Sequence, residues 1–227
     1  MTVVIDPLPC NAVETWNGAV NNDWFLAANW TPAAVPCATT AVTVPVAPNY
    51  PTLTLPATVA SITIESGASF IGSEFLTTGS ALVKQNFPLT GYHYISSPVQ
   101  ATTFNSVFPL NQNAVWAYLY DETSGNWMNQ TIASTLGVGT GYSVKMTAPQ
   151  VALFGGQLNM NPVSKSLSLM NTSGNVSRVG WNLLGNPFSS AIDWTLGKVR
   201  DSFHLQPLKW MSSVAMGVNR ELIAKEH

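Results

Sequence analysis

A phrase of eleven residues occurs twice in this chain, as GYHYISSPVQA at 91–101 and GWNLLGNPFSS at 180–190. Each copy runs glycine, aromatic, polar, two apolar residues, two small or polar residues, then proline and an apolar residue. This is the pattern of a short strand that ends in a proline turn. Its repetition constrains the chain to an all-β architecture built from related units. Both copies are expected to occupy equivalent places, with Tyr92 and Trp181 directed toward a core. His93 of the first copy stands where the second has Asn182, so it reads as a sheet-face residue rather than a catalytic base.

The surrounding sequence agrees with strands. Segments 41–46, 52–55 and 59–64 alternate apolar and polar residues and are bounded by Pro, Gly or Asn. Short, regularly spaced strands of this kind suit a β-solenoid coil or a small sandwich. From Gly91 the strands are longer and more aromatic: 114–120 has high β-propensity, 121–126 reads as a hairpin loop, and Trp127 opens the return strand. Residues 142–146, 151–156 and 167–169 continue the series, and glycines 137, 139 and 141 provide a tight bend into it. The fold class is therefore all-β, with a β-solenoid-like or small sandwich part over 1–88 and an antiparallel β-sandwich over 89–197. Residues 198–227 form an atypical tail. It holds five of the nine basic residues, and its end favours helix; it reads either as a terminal helix or as a truncation scar.

Composition narrows the function. Charged residues make up 9% of the chain, against roughly 25% in an average soluble protein. The net charge of −2 excludes a general nucleic-acid footprint. No apolar run reaches the roughly 18 residues of a membrane-spanning helix. The first six residues are too short, and lack the basic flank, for a signal peptide, so any leader is expected to have been removed or not included.

No catalytic constellation stands out. The three histidines, His93, His204 and His227, have no motif that pairs them with a nucleophile, and no G-x-S-x-G elbow occurs. The acids Glu65, Glu74, Asp121, Glu122 and Asp193 show no pairing of the kind glycosidases need. Asp121 and Glu122 read as a solvated hairpin tip, with a calcium site as the minor alternative. No metal or other cofactor is expected beyond that. Residues 137–141 lack the lysine and helix of a phosphate loop. Cys10 and Cys37 are the two cysteines; a disulfide is the first reading and two inert thiols the alternative, while zinc is disfavoured by spacing.

A resemblance enters through Trp16-Asn17-Gly18, Asp23-Trp24, Asn29-Trp30 and Pro36, followed by Tyr50-Pro51 and the segment 59–68. This resembles the repeat of large secreted surface proteins of Bacteroidota, many of them exported by the type IX secretion system. The segment 180–194 and the hairpin from Tyr118 to Trp127 resemble phrases of the same proteins. The resemblance covers roughly residues 14–194. It implies an extracellular or cell-surface β-rich module and an oxidising compartment in which Cys10 and Cys37 are joined.

The aromatic residues carry two readings. Trp16, Trp24, Trp30, Trp116, Tyr118 and Trp127 can present flat faces for stacking on sugars, or they can fill the core. For Trp16, Trp24 and Trp30 the core reading is preferred, because their positions follow the repeat. The expected function is a non-catalytic structural or adhesive module of a larger surface protein, whose partners are glycans or matrix components. The alternative is a carbohydrate-binding module of a secreted polysaccharide-degrading enzyme, and an unfamiliar hydrolase ranks third.

Overall fold

A computed structural model describes residues 10–109, 114–170, 174 and 180–192, together with the backbone of 210–213. It is an all-β protein whose strands form two main sheets. The first is a parallel stack. Strands β1 (Val13–Trp16), β3 (Ala41–Val44), β4 (Ala57–Ile64) and β5 (Leu76–Phe87) lie side by side in the same direction. The register passes from Val13 to Ala41 to Ser61 to Ser80, so two later coils are nearly equal in length and the first is longer. A second row of parallel bridges joins Asp23, Thr52 and Ile71 along another side of the same coils. Two stacked rows of parallel pairing, with later coils of nearly equal length, define a β-solenoid, one of the two arrangements the period-two segments suit.

The solenoid interior follows from the register. Trp16, Val44, Ile64 and Val83 form one apolar row across the coils, and all four are sealed from solvent. The extra length of the first coil is spent on two tryptophans. Strand β2 (Trp30–Thr31) folds back antiparallel onto β1 and brings Trp30 between Trp16 and Trp24. The ring centroids are 5.0 and 4.7 Å apart and meet edge to face, the arrangement that aligns positive ring edges with negative ring faces. Trp30 Nε1 donates to the carbonyl of Trp24 at 2.7 Å, and Trp16 Nε1 to that of Asn49 at 2.7 Å. Asn29 organises the loop before β2: its carboxamide oxygen accepts from the backbone of Val20 and Asn21, and its amide donates to Asn21 and Asp23. Cys10 and Cys37 are joined by a disulfide, with Cα atoms 6.0 Å apart.

The second sheet is antiparallel, in the order β6 (Gly91–Ile95), β9 (Tyr142–Met146), β7 (Val115–Asp121), β8 (Asn126–Gln130). Its inner face carries Ile95, Val144, Met146 and Ala117. These join a core that is continuous with the solenoid and includes Phe104 and Val107 of the short helix α1 (Phe104–Val107). The sandwich is tied together by the chain itself. Strand β10 (Gln150–Gly156) leaves the second sheet and pairs antiparallel with β5 of the first. Strand β11 (Asn182–Gly185) pairs in parallel with β12 (Trp210–Ser213). The helix expected near the chain's end lies outside the described residues. Residues 167–169, expected as a strand, run without strand pairing; Ser168 instead bonds the Asn182 side chain through its backbone.

Both copies of the repeated phrase are strands that enter proline turns, but their places are not equivalent: β6 pairs antiparallel with β9 in the four-stranded sheet, whereas β11 pairs in parallel with β12. They meet in the interior. Ser96 Oγ donates to the carbonyl of Asn186, and Asn159 Nδ2 donates to the carbonyls of Ser97 at 3.1 Å and Pro187 at 2.8 Å. The Asn159 carbonyl accepts from Ser73 Oγ, and Ser189 exchanges hydrogen bonds with the Phe70 backbone. A single buried asparagine thus joins both proline turns to a corner of the solenoid. One expectation is corrected: Tyr92 is 66% exposed. The partner of Tyr92 across the sheet is Lys145, and that face of β6 points to solvent, whereas Ile95 turns into the core.

Candidate binding face

The outer face of the antiparallel sheet is the most distinctive surface of the molecule. In an antiparallel ladder, residues opposite one another project to the same side, and alternate residues along a strand share that side. Tyr92, Lys145 and Trp116 therefore form one row across three strands. Tyr94, Ser143, Tyr118 and Asn129 form the next, and Tyr120 with Trp127 the third. Six aromatic residues share one face, and Tyr92, Tyr94, Trp116 and Trp127 are each more than 40% exposed. Their presence outside follows from strand parity: the residues between them, Ile95, Val144, Met146 and Ala117, take the inner positions. With strands about 4.8 Å apart and same-side residues about 6.7 Å apart, the face measures roughly 14 by 13 Å.

The rings are held in place by one another. Tyr92 and Tyr118 have centroids 6.5 Å apart, and Tyr120 meets Trp127 at 5.2 Å in an edge-on pair. Lys145 Nζ stands over the Tyr92 ring, 5.7 Å from its centre, within the range in which the ring quadrupole attracts a cation. Lys145 is the charged residue of this face among the described residues, and the Lys84–Glu65 ion pair lies elsewhere, on β5 and after β4.

The hairpin at the end of this sheet differs from its expected solvated tip. Asp121 does turn into the loop, where it accepts from the backbone of Thr123 and Ser124. Glu122 is 4% exposed. Its two carboxylate oxygens accept from the backbone N–H groups of Met170 at 2.9 Å and Gly180 at 2.8 Å. Charge-assisted bonds to two donors offset the cost of burying the carboxylate, so Glu122 anchors the approach to the second phrase. Among the described residues, no group of three His, Cys, Asp or Glu is placed to hold a metal.

Tyr142, on the inner side, accepts from Gly137 N–H at 2.8 Å, and burial raises its phenol above the ordinary value. Gly139 has φ +68°, and a Cβ at Gly141 would stand 2.7 Å from the Leu184 carbonyl, so the glycines before β9 serve a bend and a close backbone approach. His93 bonds the Leu89 carbonyl at 2.9 Å and stacks near Phe87, a sheet-edge role.

The six aromatic candidates therefore separate. Trp116, Tyr118 and Trp127 lie together on the outer face. Trp16, Trp24 and Trp30 are core residues, the reading preferred for them, and drop out of the ligand-binding candidates: at 0–1% exposure they have no face to offer a ligand. Sequence reasoning missed Tyr92, Tyr94 and Lys145 as members of the face. The signal was available in strand parity: Tyr92 and Tyr94 alternate on β6 as Trp116, Tyr118 and Tyr120 do on β7.

Fold and face together define an all-β protein in which a disulfide-linked solenoid supports an antiparallel sheet with an open aromatic surface. The chain belongs to the family described as Domain of unknown function (DUF8693), whose model matches residues 60–197, more than half of its length. That span runs from within β4 through the second phrase and contains the whole aromatic face. Comparisons with curated proteins and with solved structures find no match. No helix among the described residues is long and apolar enough to cross a membrane.

Proposed function

We propose that this chain is a non-catalytic adhesive module of a secreted or cell-surface protein, and that it attaches through the aromatic face of the antiparallel sheet. The observation that carries the reading is the concentration of six aromatic side chains on one open sheet face. Exposed apolar surface is costly in a free monomer, and a contiguous patch marks an interaction site. The disulfide fits an oxidising compartment. The resemblance of the Trp-rich segment to Bacteroidota surface repeats supports an extracellular place and export by the type IX route. A weak face gains strength when several modules are linked in one polypeptide. The ring geometry also favours a second reading, a carbohydrate-binding module of a polysaccharide-degrading enzyme. The two readings share the same face.

The test is retention of the purified chain on immobilised cell-surface and matrix material, beside an assay for ester, peptide and glycoside turnover. The expected result is retention that falls in W116A and W127A without any turnover. Turnover abolished by one acidic, serine or histidine substitution overturns the reading, as does retention indifferent to both tryptophans.

A further inference from the structure

We infer that the outer face of the antiparallel sheet binds an acidic glycan, with Trp116 and Tyr92 stacking on sugar rings and Lys145 receiving a sugar carboxylate. The inference rests on the adhesive reading above and specifies its ligand. Three observations select this chemistry. First, the apolar surface of the face is aromatic: its strand positions hold Tyr and Trp, whereas the aliphatic residues of the same strands turn inward. Flat rings with electron-rich faces suit the C–H surfaces of pyranose rings. Second, the exposed polar groups interleaved with the rings are Asn129 and phenol hydroxyls, donors and acceptors of the type sugar hydroxyls require, whereas Ser143 of the same row is buried. Third, among the described residues the face carries a cation and no acid. Lys145 is exposed beside Tyr92 and in register with Trp116, so an anion bound there meets the ammonium while its ring rests on the indole.

The dimensions of the face fit a short stretch of chain rather than one sugar. A single-stranded nucleic acid would also stack on such rings, but it places a phosphate at every step and needs a groove of cations along its track; among the described residues this face offers Lys145 alone.

The experiment measures binding of the whole chain to polygalacturonate, to a neutral β-glucan, to sulfated dextran and to oligo-dT, by affinity electrophoresis and calorimetry. The variants are W116A, Y92A and K145M, each checked for an unchanged thermal melt because all three residues are exposed. The expected result is binding to polygalacturonate that weakens with salt, falls about tenfold in W116A, the scale of an interface anchor, and falls several-fold in K145M. Binding to neutral glucan that is equal in strength and insensitive to K145M overturns the acidic assignment and leaves the adhesive module standing. Preference for sulfated dextran over polygalacturonate overturns the carboxylate assignment. Preference for oligo-dT, or retention by protein matrix alone, overturns the glycan. Loss of all surface retention in the preceding assay removes both readings together.

Discussion

Replacing Asn159 by alanine tests the join between the repeated turns and the solenoid. The side chain is buried, and its amide serves the carbonyls of Ser97 and Pro187, which are themselves buried. Alanine removes both donors and leaves no room for bulk water to replace them. An orphaned buried polar group costs about 1–3 kcal/mol, so two such carbonyls give a loss of roughly 2–6 kcal/mol. That is a large share of the ~5–15 kcal/mol by which domains are ordinarily stable. At about 2–4 °C per kcal/mol for a chain of this size, the melting temperature should fall by roughly 4–24 °C. N159D should do no better, because it keeps the shape and loses the donors. The assay is urea unfolding followed by tryptophan fluorescence and checked by calorimetry. N126A serves as control, since Asn126 bonds only the exposed hairpin carbonyl of Ser124, and a surface change of this kind should stay within about 0.5 kcal/mol. If N159A unfolds at the urea concentration of the parent chain, the reasoning that one asparagine couples the two turns is wrong.

Trp30→Ala should cost about 3–5 kcal/mol, the range for emptying a buried aromatic site, whereas Trp127→Ala should cost far less because that ring is 42% exposed; equal denaturation midpoints would contradict the division of the tryptophans. Glu122→Gln should destabilise by about 1–3 kcal/mol, because one backbone N–H would face an amide donor instead of an oxygen; hydrogen exchange at Met170 and Gly180 should accelerate, and unchanged protection there would refute the pairing. Burial raises the Tyr142 pKa, so its neutral form contributes stability that is fully present below the ordinary value of 10.0 and is lost as pH climbs through the higher folded value. Ultraviolet titration should show a late-ionising step, and Tyr142→Phe should abolish it.

The class of fold was legible because it depends on local pattern. Val42 and Val44, Ile62 and Ile64 alternate with polar residues, and the stacking of coils preserves that alternation. The hairpin from β7 to β8 was legible for the same reason. What the sequence hid was long-range. Nothing in Asn159 distinguishes it from the other asparagines, since its role depends on two turns that are distant in sequence. Glu122 stands in a polar hairpin, and its burial depends on Met170 and Gly180 arriving over it. Tyr92 was misplaced because a phrase shared with Trp181 suggests a shared environment. Its neighbours across the sheet, Lys145 and Trp116, decide otherwise. The core place of Trp16, Trp24 and Trp30 was legible from their repeat positions, whereas the way the insertion of the first coil folds back to pack them was not.

The path of β10 also has a consequence in time. The strand that covers the free edge of β5 begins at Gln150, whereas β5 ends at Phe87, so an entire sheet's worth of chain lies between them. A polypeptide that emerges amino end first can wind its solenoid from near neighbours and then hold a bare parallel edge until the closing strand appears. Unpaired edges recruit other chains, and pairings of large sequence separation form slowly. The vulnerable interval is therefore fixed by how quickly residues 88–149 become available. A truncation before Gln150 would lengthen that interval without limit.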